Sequence, residues 1–301
     1  MKKNLIALAI ASAIAAPVAM ADAPTLYGQL NLNYAKIDGQ DGTVNSTDSR
    51  MGVKGSEDLG DGLKAVYGIE FSIDTVADGS GASLSARNQY LGLAGGFGTV
   101  LMGRHDTPTK MTQVTDLFPD GAADIKNLTN GLDSAEIRAT DVLAYVSPSF
   151  GGVKVLAAAV LDEDKTNNWN NVAVTYGSTK DGLYLAAAYQ EADMDITYVR
   201  VGAQYKTGGL ITSVMYQDNS GNDTAEGNFT QLQAGYKIGK FMPKVKYVMT
   251  SNDTTNSDED AFAVGLNYSL GKKTTAYIYM ADRQDVGKAD AEYILGMVHK
   301  F

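Results

Sequence analysis

The dominant pattern along this chain is alternation of apolar and polar positions with a period of two. Leu26, Gly28, Leu30, Leu32 and Tyr34 alternate with Tyr27, Gln29, Asn31 and Asn33. Leu63, Ala65, Tyr67, Ile69, Phe71 and Ile73 alternate with Lys64, Val66, Gly68, Glu70, Ser72 and Asp74. Similar segments recur around Leu232–Ile238 and Phe262–Tyr268. Such alternation predicts β-strands with one apolar and one polar face. It does not say whether the apolar face meets a protein core or lipid.

The connections between these segments separate the two architectures. Sixteen strands are predicted, the second over 47–56. Short, often Gly-bearing turns such as Gly95-Gly96, Gly208-Gly209 and Gly271-Lys272 follow the even-numbered strands. Longer polar connections, such as Gln217 to Gly227 and Asn252 to Asp260, follow most odd-numbered ones, with a short exception near Ala192–Met194. Short turns at one end and long loops at the other are the layout of a transmembrane antiparallel β-barrel, with both chain ends on the periplasmic side. A closed barrel in lipid pairs every backbone N–H and C=O, which an open sheet edge cannot do. The fold class expected is therefore all-β, a 16-strand barrel in one domain spanning residues 22–301.

The first 21 residues break the pattern. Lys2 and Lys3, an apolar stretch over Leu5–Ala16, Pro17 and Ala19-Met20-Ala21 read as a cleaved secretory signal peptide. Without Lys2 and Lys3 the formal charge moves from −10 to −12, with 23 basic and 35 acidic residues. An acidic chain of this kind has no footprint for nucleic acid. There are no cysteines, so thiolate catalysis and Cys-based metal sites are excluded. The two histidines, His105 and His299, cannot build a His-rich metal centre. The acidic stretch 252–260 lacks the offsets of an EF-hand, and no phosphate-binding Gly-rich motif precedes a predicted helix. No cofactor, metal or catalytic residue is expected, and the chain is not read as an enzyme.

One connection stands apart. Asp106 to Ile137 exceeds 30 residues with weak strand character, and connections of that length in a compact domain are usually functional. It follows the fifth strand, which makes it the third long loop. It carries Asp116, Asp120, Asp124, Asp133 and Glu136 against Lys110 and Lys126. Folded into the lumen, it would narrow the pore and supply acidic groups to the constriction.

Several stretches resemble the Gram-negative general porins of the neisserial and comamonad type. They are Thr25–Gly28, Ser49–Gly60, Gly62–Ala65, Gly96–Val100, Gly103–Pro108, Ile137–Asp141, Tyr145–Gly152 and Gly296–Phe301. The resemblance implies a homotrimeric outer-membrane channel for passive diffusion of small hydrophilic solutes and ions, with the third loop folded inward. It implies an eyelet in which Arg50, Arg87 and Arg138 on the wall face the acidic loop. Arg104 is a further candidate, although it shares parity with Val100 and Met102. Lys54 and Lys64 fall on lumen faces by parity. Phe301 resembles an outer-membrane assembly signal, which implies lipid, lipopolysaccharide and the barrel assembly machinery as partners. An arginine row opposite carboxylates sets up a transverse field across an aqueous gap. The loop acids and the −12 balance leave the sign of its ion preference open, with a lean toward cations. Two alternatives stay open: a substrate-specific channel on the same barrel, and an outer-membrane barrel enzyme.

Overall fold

The computed structural model describes residues 22–77, 83–118, 120–129, 131–133, 135–161, 168–191, 196–221, 226–283 and 291–301. The signal-peptide segment 1–21 lies outside the described residues. The strands are β1 (Asp22–Ile37), β2 (Thr43–Ser46), β3 (Arg50–Gly60), β4 (Leu63–Ile73), β5 (Leu84–Gly95), β6 (Gly98–Asp106), β7 (Arg138–Val146) and β8 (Val153–Val160). They continue as β9 (Trp169–Gly177), β10 (Gly182–Glu191), β11 (Thr197–Thr207), β12 (Leu210–Ser220), β13 (Gly227–Tyr236) and β14 (Phe241–Asn252). The last three are β15 (Ser257–Ser269), β16 (Thr274–Arg283) and β17 (Glu292–Lys300).

Apart from β2 and β3, each strand pairs antiparallel with its neighbours in sequence, and β1 closes the sheet against β17. β2 and β3 both pair with β1, in line, and form one barrel strand interrupted at 47–49. The barrel is therefore sixteen-stranded. The predicted second strand, 47–56, is corrected by this break: Asp48 adopts a left-handed backbone (φ 54°), which an aspartate tolerates better than most residues. The predicted long loop 252–260 is also corrected. β14 and β15 extend through it to a four-residue connection, Asp253–Asn256.

The two faces are inverted relative to a soluble protein. On β1, Leu26, Leu30, Leu32 and Tyr34 are exposed, while Gln29, Asn31 and Asn33 are buried. On β11, Val199 and Val201 are exposed, while Arg200 and Gln204 are each 1% exposed. Apolar side chains facing out and polar ones facing in are what lipid outside and water inside require. At the seam, Phe301 N–H donates to the Gly28 carbonyl (3.1 Å) and Gly28 N–H to the Phe301 carbonyl (3.4 Å). The Phe301 ring lies so close to Gly28 that a Cβ there would fall 2.5 Å from it. Only glycine fits.

Candidate functional site

Residues 107–137 leave the sheet between β6 and β7 and hold two single-turn helices, α1 (Pro108–Met111) and α2 (Ile125–Leu128). The segment packs against the polar-lined side of β9 to β16. Asn171 and Thr109 hydrogen bond through their side chains (3.1 Å), and Tyr184 OH donates to the Thr112 carbonyl. Gln204 accepts from Thr115 N–H at 2.8 Å. Gln233 donates to the Thr115 carbonyl and accepts from Leu117 N–H. Lys244 donates to the Leu117 carbonyl at 2.6 Å and sits over the Phe118 ring.

Apolar contacts reinforce this network. Val114, Ile125, Leu128 and Leu132 pack on Met215, Phe229 and Val248. Leu117, Phe118, Ala122 and Ala123 pack on Tyr277, Tyr279 and Ala281. Burial of a side chain such as Ile125 or Leu132, both 0% exposed, contributes about 1.5–3 kcal/mol each.

Three acidic residues of the segment, Asp116, Asp133 and Glu136, are spent on this docking. Arg200 donates to Asp133 (2.6 Å) and Glu136 (3.0 Å), with Gln217 on its Nε (2.8 Å). Lys246 donates to Asp116 (2.8 Å) and to the Ala123 carbonyl (2.7 Å). Asp124 caps α2 by accepting from Lys126 N–H at 2.8 Å. Asp120 is exposed and lies within electrostatic reach of Asp48 and Arg50. Enclosure by the surrounding walls first, then the neighbouring Asp48, Asp124 and Asp116 carboxylates, push Asp120 up to about 7. Burial, and then Asp133, push Glu136 up to about 7 against the pull of Arg200.

The direct ion pairs of the wall arginines are with Asp48, Glu70 and Asp106, while Asp120 of the segment lies within electrostatic reach of Arg50. Arg87 pairs with Glu70 (2.6 Å) and Asp48 (3.3 Å). Arg50 pairs with Asp48 and stands 3.8 Å from Glu70. Arg138 pairs with Asp106 (3.0 Å) and donates to Asn88, and Lys110 stands 3.7 Å from Asp106. Arg104 lies within electrostatic reach of Arg138, and among the described residues it enters no ion pair. Its Nε is buried without a hydrogen-bond partner. The reason is local geometry. The left-handed turn at Asp48 brings its carboxylate to both arginines, and a register shift between Ile69 and Phe71 lies at Glu70. Lys54 stacks over Tyr27 (5.0 Å), and Lys64 pairs in register with Asp58. Lys64 lies toward the turn at Asp61-Gly62, whereas Lys54 stays within electrostatic reach of Glu70.

Sequence reasoning missed Arg200, Lys244, Lys246, Asp48, Glu70 and Asp106 as members of the site. Parity was the available signal. Arg200 shares a face with Gln204, and Lys244 with Lys246, on strands whose other faces carry Val and Tyr.

Comparison with known proteins gives a consistent picture. A family model described as Gram-negative porin matches residues 7–287. The chain is 28% identical to outer membrane porin protein 32 of Delftia acidovorans, over 92% of this chain and 88% of the relative. It is also 28% identical to the major outer membrane protein P.IB of Neisseria meningitidis serogroup B, over the full length of both. Among solved structures, it resembles an anion-selective porin from Comamonas acidovorans (TM-score 0.76, 23% identity, 93% of this chain and 99% of that one). It also resembles OmpF of Salmonella typhi in complex with daunomycin (TM-score 0.76, 16% identity, 92% of this chain and 97% of that one).

Proposed function

This chain belongs to the Gram-negative porin family and is an outer-membrane β-barrel channel for passive diffusion of small solutes; from that premise we propose that residues 107–137 form its constriction and that the constriction favours anions. The observation carrying the second part is the fate of the acids. Asp116, Asp133 and Glu136 are tied to Lys246 and Arg200, whose side chains are 0% and 1% exposed. In the group around Asp48, Glu70 and Asp106, Arg50 (26%), Lys110 (22%), Arg87 (18%) and Arg138 (14%) keep contact with solvent. Their partners Asp48, Glu70 and Asp106, with the exposed Asp120 beside Arg50, number four against the five cations gathered there, Arg104 included. This reverses the cation lean drawn from the loop acids and the overall charge. The anion selectivity named for the Comamonas porin, a structural neighbour, supports the reading.

The mechanism is diffusion down a gradient. The barrel provides the aqueous path, the 107–137 segment sets the size limit, and fixed guanidinium charges bias which ions enter. Arginine remains charged at any working pH, so the bias is permanent. The proposal includes a homotrimer, supported by the trimer form of Vibrio cholerae OmpT, which shares the fold at TM-score 0.71. It includes lipopolysaccharide and the barrel assembly machinery as partners, small hydrophilic solutes and ions as cargo, and no enzymatic step.

The test is the zero-current potential of single channels in a KCl gradient. A charge about 6 Å from the ion path shifts the energy of a monovalent ion by about 0.4 kcal/mol in ~0.1 M salt. With opposite signs for anion and cation, Arg50→Ala or Arg138→Ala should lower the anion-to-cation permeability ratio about three- to fourfold. An unchanged potential in both variants removes these arginines from the constriction. Folded protein without conductance overturns the channel.

A further inference from the structure

The charges of this chain are also sorted by barrel end. Antiparallel neighbours in chain order place alternate connections at opposite ends. One end carries the turns 61–62, 96–97, 147–152, 178–181, 208–209, 237–240 and 270–273. Their sequences hold two acids, Asp61 and Asp181, against five lysines. The other end carries the seven remaining connections besides the constriction segment, and their described residues are 38–42, 74–77, 83, 161, 168, 196, 221, 226, 253–256 and 291. These described residues hold five acids, Asp38, Asp41, Asp74, Glu226 and Asp253, and no lysine or arginine.

The lumen wall continues the gradient at the short-turn end. Lys154, beside the start of β8, shares its face with buried Leu156 and Ala158. Lys206, beside the end of β11, shares its face with buried Arg200 and Gln204. Lys237 follows at the end of β13, where its N–H donates to the Gly209 carbonyl at 2.9 Å. Lys64 lines the same half, with Asp58 opposite it.

We infer that the pore is an ionic rectifier, with an acidic outer mouth in series with a lysine-lined periplasmic vestibule. The inference rests on the open-channel reading above. An acidic zone concentrates cations and a basic zone concentrates anions. A field directed from the outer mouth to the periplasm drives cations in through the acidic zone and anions in through the basic zone. Both accumulate in the pore, and conductance rises. The opposite field withdraws both and depletes the pore.

The experiment is single-channel current at equal and opposite voltages in symmetric KCl, with insertion direction known for each channel. The chain has no cysteine, so Thr255→Cys in the 253–256 connection can be biotinylated and its side identified by one-sided streptavidin. At 0.1 M KCl the current should be about 1.5-fold larger with the outer side positive, and the ratio should approach one at 1 M, where the Debye length is only about 3 Å. The triple variant Lys154→Gln, Lys206→Gln, Lys237→Gln should lower the ratio at 0.1 M. If that variant does not assemble, the salt series on the parent protein still decides. Equal currents at 0.1 M, the opposite polarity, or asymmetry that survives 1 M salt overturns the rectifier and leaves the channel standing. Absence of any conductance overturns the channel itself.

Discussion

Replacing Arg200 by leucine tests how the constriction segment is held. Arg200 is 1% exposed and is the guanidinium that faces both Asp133 and Glu136. Its removal leaves two buried carboxylates without their cation, and breaking a buried ion pair in this way costs about 3–5 kcal/mol. The strands themselves lose nothing in their hydrogen-bond ladders, so the cost falls on docking of 107–137 rather than on the barrel. A loss of that size raises the undocked fraction by on the order of 10²–10⁴. Lys126 is exposed on the segment and offers a tryptic site. Where opening is fast relative to cleavage, the rate of cutting tracks the undocked population. Trypsin should therefore cut Arg200→Leu at this site more than about a hundredfold faster than the parent at pH 7.5. Adding Asp133→Asn and Glu136→Gln removes the stranded charges and should restore most of the resistance. Cleavage at the parental rate in Arg200→Leu would refute the argument, as would no rescue in the triple variant.

Three further outcomes are expected. Asp120 and Glu136, both pushed up to about 7, are charged above that pH and become neutral as it falls through 7, so the constriction loses negative charge on acidification. The zero-current potential should then move toward anions between pH 8.5 and pH 5.5, and the shift should shrink in Asp120→Asn. Deleting Phe301 removes the paired hydrogen bonds to Gly28 and should lower the yield of folded barrel recovered from membranes. Gly28→Val, which crowds the Phe301 ring and the Arg50 carbonyl, should do the same with the last residue intact.

The strands were legible because alternation is written directly in residue order, and lipid on one side with water on the other enforces it at every position. β6 ends at Asp106 and β7 begins at Arg138, as the long connection predicted. The break at 47–49 was not legible, because a single left-handed Asp48 leaves no trace in a periodicity. The site was harder for a related reason. Arg50, Arg87 and Arg138 could be placed by resemblance, but their partners follow from cross-strand register, and register is set by neighbours in space. Arg200 and Lys246 lie in the stretch where the resemblance is loose. Each appears there as one more polar residue in an alternating strand until the loop is laid against it.

The seam between β1 and β17 makes barrel closure a check on synthesis. Its register runs from Gln29 opposite Lys300 to Ile37 opposite Glu292, so the earliest strand to emerge waits for the last. Joining positions about 270 residues apart in a flexible chain costs roughly 5 kcal/mol of chain entropy. A chain stopped before residue 292 could still form every hairpin before that point. It would nonetheless carry two bare edges into hydrocarbon, where each unpaired backbone group costs several kcal/mol. Incomplete products are thereby disfavoured in the membrane by their own backbone.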